Sequence, residues 1–298
     1  MSLRSCLLVP AVAVAATSLF LSGCASNSES GGRPTASVTA SVRKDNSLSA
    51  LVPAKVRAAG KLIVGVNVPY SPNEYVQGGK VVGFDVDLMD ATARVLGLTT
   101  DYRQAAFEKI IPAVQAATYD VGMSSFTDTR EREKTVDFVT YFNAGILWAA
   151  RKGKAVDPAN ACGLTVSVES NTTEQQDELP RLSKACTKAG KKAIKVLTYT
   201  GQDSATTAVV LGKSDAMSAD SPVTAYAIKQ SSGKLVAAGK ITEAAPYGWP
   251  IKKGSSLVQA MHKALQTLID NGTYGQICAK WGLQTGEIKT AAINGAIS

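Results

Sequence analysis

Asp120-Val-Gly-Met-Ser-Ser-Phe-Thr-Asp-Thr-Arg-Glu-Arg-Glu-Lys-Thr-Val-Asp-Phe138 is the stretch on which the fold turns. Residues Tyr119 to Ser124 read as a short buried strand, because Val121 and Met123 are apolar and two serines end the run. Asp128, followed three residues later by Glu131, has the form of a capping box, so a helix start is expected there. A strand that passes through a polar loop into a helix is one unit of an alternating α/β chain.

The alternation continues outward on both sides. Upstream, Leu62 to Val66 reads as a buried strand. Phe84, Leu88, Ala91 and Val95 recur at helical spacing until Gly97 stops the helix. Phe107 opens another helix with Ile110, Ile111 and Val114 on one face, and Pro112 is expected in its first turn, where a missing N–H does no harm. Downstream, strands over 164–168, 194–197 and 215–218 alternate with helices from about Thr172 and over 204–211. The last strand runs into Asp220, Ser221 and Pro222, with Ser221 expected as N-cap and Pro222 at the first helical position. Leu257, Met261, Leu265 and Leu268 form one face of a helix closed by Asn271 and Gly272.

The N-terminus fixes the compartment. A basic start at Arg4 precedes an apolar run from Leu7 to Leu21, too short to span a bilayer, which needs about 20 apolar residues; it is a secretion signal. Leu21-Ser-Gly-Cys24 resembles a bacterial lipobox, which implies cleavage before Cys24 and a diacylglyceryl group on its thiol, a firm anchor to the outer face of the membrane. The stretch 24–52 is Ser, Thr, Gly, Asn and Ala with few large apolar residues, so a flexible tether is expected. The rest, from Pro53, suits two domains better than one.

The chain carries 32 Lys and Arg against 24 Asp and Glu, a net charge of +8. Its basic residues are scattered, Lys191-Lys192 and Lys252-Lys253 being the densest pairs, and export removes it from cellular nucleic acid, so no nucleic-acid partner is expected. Of the five cysteines, Cys6 leaves with the signal and Cys24 takes lipid. Cys162 and Cys186 are the natural disulfide in an oxidising space, closing a loop worth about 3 kcal/mol on the chain-entropy model. Cys278, in an apolar helical stretch, is expected buried and inert. With His262 the only histidine, no metal is expected, and no cofactor.

Four segments together carry a resemblance: Gly83-Phe-Asp-Val-Asp-Leu88, Phe107-Glu-Lys-Ile-Ile-Pro112, the 120–138 stretch and Asn271-Gly-Thr-Tyr274. In their order and spacing the chain from Lys61 to Leu283 resembles bacterial solute-binding protein family 3, the polar amino-acid receptors of ABC importers. The resemblance implies a type II periplasmic-binding-protein-like α/β fold of two lobes joined by two hinge strands. Lobe 1 would be 53–145 with 247–285, lobe 2 would be 146–246, and 286–298 a C-terminal tail. Tyr141 to Ile146 and Ala245 to Trp249 would be the crossings, and the lobes would close on a ligand between them. It also implies a monomer that binds a free L-amino acid and delivers it to a permease and its ATPase.

A free amino acid presents a carboxylate beside an ammonium, so its receptor needs a fork of donors near an acid. By the resemblance, Arg132 is the bidentate fork, with the Thr127 hydroxyl, the backbone at Ser125 and the backbone of Thr173 beside it, Thr173 following Asn171 and Thr172 where relatives have a Gly-Thr turn. Asp220, at the carboxyl end of a strand where open α/β sheets gather ligands, meets the ammonium. Tyr70 and Phe107 sandwich the aliphatic part, and Asn67 and Glu169 set side-chain choice, Glu169 favouring a cation or an amide donor. As bare residues, Arg130 to Lys134 form a solvated charged turn and Asp220 a helix cap. Two rivals share the fold: a cyclohexadienyl or arogenate dehydratase-like enzyme, and an amino-acid sensor for a signalling partner.

Overall fold

The computed structural model describes residues 41–297, so the expected signal, Cys24 and residues 25–40 of the expected tether lie outside the described residues. The described chain opens on α1 (Asn46–Ser49) and α2 (Ala54–Ala59). It continues through β1 (Lys61–Val66), the hairpin β2 (Tyr75–Gln77) and β3 (Lys80–Val82), α3 (Phe84–Val95), β4 (Thr99–Gln104), α4 (Phe107–Gln115), β5 (Val121–Met123) and α5 (Arg130–Glu133). The long strand β6 (Val136–Arg151) leads to β7 (Thr165–Glu169), α6 (Leu179–Lys188), β8 (Lys195–Tyr199), α7 (Gln202–Val210), β9 (Ala216–Asp220) and α8 (Ser221–Gln230). A second long strand, β10 (Leu235–Lys252), returns to α9 (Leu257–Asp270), α10 (Thr273–Trp281) and β11 (Ala292–Ile293).

The strands run β4-β1-β5-β10-β6-β9-β7-β8, with β11 added to β6. On one side β1 is parallel to β4 and β5; on the other β7 is parallel to β8 and β9. Only the antiparallel pair β6 and β10 runs through both halves. Two cores follow. The larger packs Leu62, Val64, Phe84, Leu88, Met261 and Leu265 around Trp249; the smaller packs Val166, Val168, Leu179 and Ile194 around Trp148. This is the two-lobed type II architecture. The β6–β10 ladder slips register between Ala238 and Gly248, and a Cβ at Gly145 would stand 2.5 Å from Thr242 O, so glycine is what lets the strands cross this closely.

Several expectations need correction. The tether 24–52 ends sooner, because Leu48, Leu51 and Val52 stack at helical spacing and pack on the first core, and Asp45 N donates to Val95 O at 2.8 Å. Within the expected C-terminal tail, β11 pairs with Val139 and Thr140 of β6. The capping box at Asp128 and Glu131 does not form: Thr129 is the N-cap, its Oγ1 accepting from Arg132 N at 3.2 Å, while Asp128 Oδ2 accepts from Gly295 N at 2.7 Å. Pro112 lies in the second turn of α4, not its first, leaving Glu108 O without its helical donor. The disulfide joins Cys162 to Cys186 with Cα atoms 5.4 Å apart, tying the turn before β7 to α6, and Cys278 is buried in α10.

Candidate ligand-binding site

The carboxyl ends of five strands meet between the lobes. Asn67 and Tyr70 follow β1, Phe107 follows β4, and Ser124 to Arg132 follow β5; across from them Glu169 ends β7 and Asp220 ends β9. These residues, with Thr173, converge on one small pocket that all nine residues expected from the sequence line. Ser124, Thr172 and Glu174 complete it.

Arg132 is held from both lobes. Its guanidinium donates to Thr127 O at 2.8 Å and to Asn171 O at 3.1 Å, and lies 5.7 and 5.5 Å from the ring centroids of Phe107 and Phe126. Those rings stack on each other at 4.3 Å, so a planar cation on their faces adds cation–π attraction to hydrogen bonding. Asn171 adopts φ 62°, the left-handed backbone that asparagine tolerates better than most residues. The turn after it then brings Thr172 and Thr173 to the cavity, Thr172 Oγ1 donating to Glu169 O at 2.9 Å.

Ser125 also has a positive φ, 50°. Its amide and hydroxyl both donate to Asp85 Oδ2 at 3.1 Å, which also accepts from Tyr141 OH at 2.6 Å, so the side chain is tied to the lobe. Asn67 N donates to Ser124 Oγ at 2.9 Å, and its Nδ2 to Ala105 O at 3.0 Å. The floor of the first lobe is thereby cross-linked by hydrogen bonds.

Asp220 occupies the N-cap position of α8, with Ser221 as the first helical residue, which corrects the expected cap at Ser221. Its carboxylate makes no capping bond and instead accepts from Tyr70 OH at 2.6 Å, across the cleft. Burial, then the charge of Glu174, raises its pKa well above the usual carboxylate range, against the hydrogen bond from Tyr70 and the charge of Arg132. Glu169 is 1% exposed and neither carboxyl oxygen has a hydrogen-bond partner. Burial, followed by Glu174, Asp203 and Asp220, pushes its pKa up to about 8. Glu174 is as deeply buried, with Oε1 unpartnered and its pKa raised by burial. Three carboxylates thus surround a cavity that Arg132 alone lines with a positive charge.

Sequence reasoning missed Glu174. It begins Glu174-Gln-Gln-Asp-Glu178, which looks like the solvated start of a helix, but this segment is a π-helical turn that buries Glu174 and Glu178 together. Glu178 accepts from Trp148 Nε1 at 2.8 Å and from Ser218 Oγ. The signal available was the density of acids in a turn flanked by Thr173 and Leu179.

The family model of bacterial extracellular solute-binding proteins, family 3, matches residues 62–284. The arginine-binding protein ArgT of Corynebacterium glutamicum is 38% identical over 286 residues, covering 95% of this chain and 94% of that protein. Among solved structures, an ancestral arginine-binding protein bound to arginine superposes with a TM-score of 0.68 at 32% identity, covering 74% of this chain and 98% of the other. An ancestral amino acid-binding protein described as a precursor of cyclohexadienyl dehydratase gives the same TM-score and identity over 76% and 97%. The matched model spans both lobes and every residue lining the cavity, and the chain belongs to the bacterial extracellular solute-binding proteins of family 3.

Proposed function

We propose that this protein is the extracytoplasmic receptor of an ABC importer for a cationic L-amino acid, arginine foremost, held to the membrane by lipid on Cys24. The observation that carries this reading is the burial of Glu169, Glu174 and Asp220 around one cavity with Arg132. The fork of Arg132, the Thr127 hydroxyl and the amide of Thr173 take the ligand's carboxylate, and Asp220 takes its ammonium. Two acids then remain. Unpaired carboxylates out of water are expensive, and a ligand cation offsets that penalty where a neutral side chain offsets little. A glutamate ligand would add one more buried carboxylate and is disfavoured. Tyr70 and Phe107 flank the aliphatic stem between the two charged ends. The names of similar proteins, arginine-binding in ArgT and in the ancestral structure, agree with this choice.

Calorimetry on a chain begun at Ala25, against the common amino acids, is expected to give arginine a Kd of about 1 μM, or about 8 kcal/mol. No heat and no thermal shift with any cationic amino acid would refute the reading. A dehydratase would need a poised acid in the same cleft, and Glu169, pushed up to about 8, is the group it would use. Turnover of prephenate or arogenate would favour that enzyme. Release of Cys24→Ala from the membrane fraction tests the anchor, and permease and ATPase genes beside this one separate an importer from a sensor.

A further inference from the structure

Residues 287–297 lie beyond the region that matches the family, yet they are bonded into the first lobe. Ala291 docks on α9, its N–H donating to Gln266 Oε1 at 3.0 Å and its carbonyl 3.1 Å from His262 Nε2. β11 then covers the edge of β6 at Thr140 and Val139. Asn294 extends this pairing with its side chain: Oδ1 accepts from Phe138 N at 2.8 Å and Nδ2 donates to Asp137 Oδ1 at 3.0 Å, while its own N–H donates to Phe138 O at 3.1 Å. The next two amides leave the sheet. Gly295 N donates to Asp128 Oδ2 at 2.7 Å and Ala296 N to Glu133 Oε1 at 3.1 Å.

Asp128 and Glu133 bracket the turn that carries Arg132. On its other side this turn is fixed to β10, through Asp128 N to Pro246 O at 2.8 Å and the bridge of Thr127 with Tyr247. Thr127 supplies the carbonyl that orients the guanidinium. Asp128 is fully buried and close enough for its charge to act on Arg132. The strap's Gly295 amide ties down Oδ2 of this carboxylate, and its Oδ1 has no hydrogen-bond partner.

We infer that residues 291–297 form a strap that holds the Arg132 turn in its ligand-binding position, which makes Asp128 and Asn294 positioning residues for the ligand's carboxylate. This rests on the receptor reading above. Because the strap acts at the carboxylate end, it governs affinity for all ligands alike and leaves their ranking unchanged.

The test compares the full chain with a truncation after Thr290 and with Asn294→Ala, Asp128→Ala and Asp128→Asn, by calorimetry with arginine and lysine and by amide hydrogen exchange. Truncation, Asn294→Ala and Asp128→Ala are each expected to weaken both ligands about tenfold. Asp128→Asn, whose Oδ1 can still accept from Gly295 N, should stay within about threefold of the full chain. Exchange should quicken over 127–135 and not in β7. Should truncation unfold the protein, the point variants decide. Affinity within about twofold in Asn294→Ala and Asp128→Ala, with unchanged exchange over 127–135, overturns the inference. If the full chain binds no amino acid, the receptor reading fails and the strap stands or falls on exchange alone.

Discussion

Arg132 donates one hydrogen bond from each terminal nitrogen to a protein carbonyl, which leaves guanidinium donors for a bidentate partner among its five N–H groups. Arg132→Ala is therefore expected to abolish measurable binding while the circular dichroism spectrum and melting curve stay close to wild type, because a desolvated charge pair of this kind is worth several kcal/mol. Asp220→Ala should behave the same way, since its carboxylate does not cap α8. Titration showing either variant within threefold of wild type would move the site elsewhere. Glu169→Gln should weaken arginine and lysine by about tenfold, or 1.4 kcal/mol, with a smaller change for glutamine; equal losses for all three would mean that Glu169 shapes the cleft without reading charge. Arg132 and Asp220 were legible because their spacing matches a family pattern. Glu174 was not, because whether an acid in a polar turn faces water or cavity depends on a π-helical turn that composition does not announce.

Elements with strong periodicity were the easiest to foresee. α3 and α9 bury the apolar faces that their spacing marks, and β1, β7 and β9 lie within a residue or two of the expected strands. What failed depends on distant partners. The first-turn signal at Asp128 and Glu131 loses to a donor 167 residues away, and residues 41–52 looked loose because the groove that receives them is built later in the chain. The disulfide closes a separation of 24 residues inside the second lobe, and neither cysteine lines the cavity. Reduction should lower the melting temperature by removing about 3 kcal/mol of constraint on the unfolded chain, while the order of ligand affinities stays the same. Intact mass after alkylation under native, non-reducing conditions should show Cys162 and Cys186 unmodified; two alkyl groups there would rule the bridge out.

The whole molecule should become less stable as pH rises. Glu169 has its pKa raised from 4.5 to about 8 in the folded chain, and burial likewise brings Glu178 and Asp128 to about 7. The folded state thus keeps protons that the unfolded chain releases, so this contribution is complete below about pH 4 and is lost as pH passes about 8. Melting curves of the ligand-free protein should shift down between about pH 5 and pH 9, and Glu169→Gln should remove part of that slope. Arginine favours the ionised carboxylates, so the rise in melting temperature it produces should grow over the same range; a rise that shrinks with pH would contradict a cationic ligand. Cys278 gives the same molecule an internal clock. Buried in α10, with burial pushing its thiol to about 12, it is the one free thiol among the described residues. A maleimide can reach it only when the first lobe comes apart, so the labelling half-time of the chain begun at Ala25 reads how often that lobe opens, and every molecule of ligand captured slows the clock.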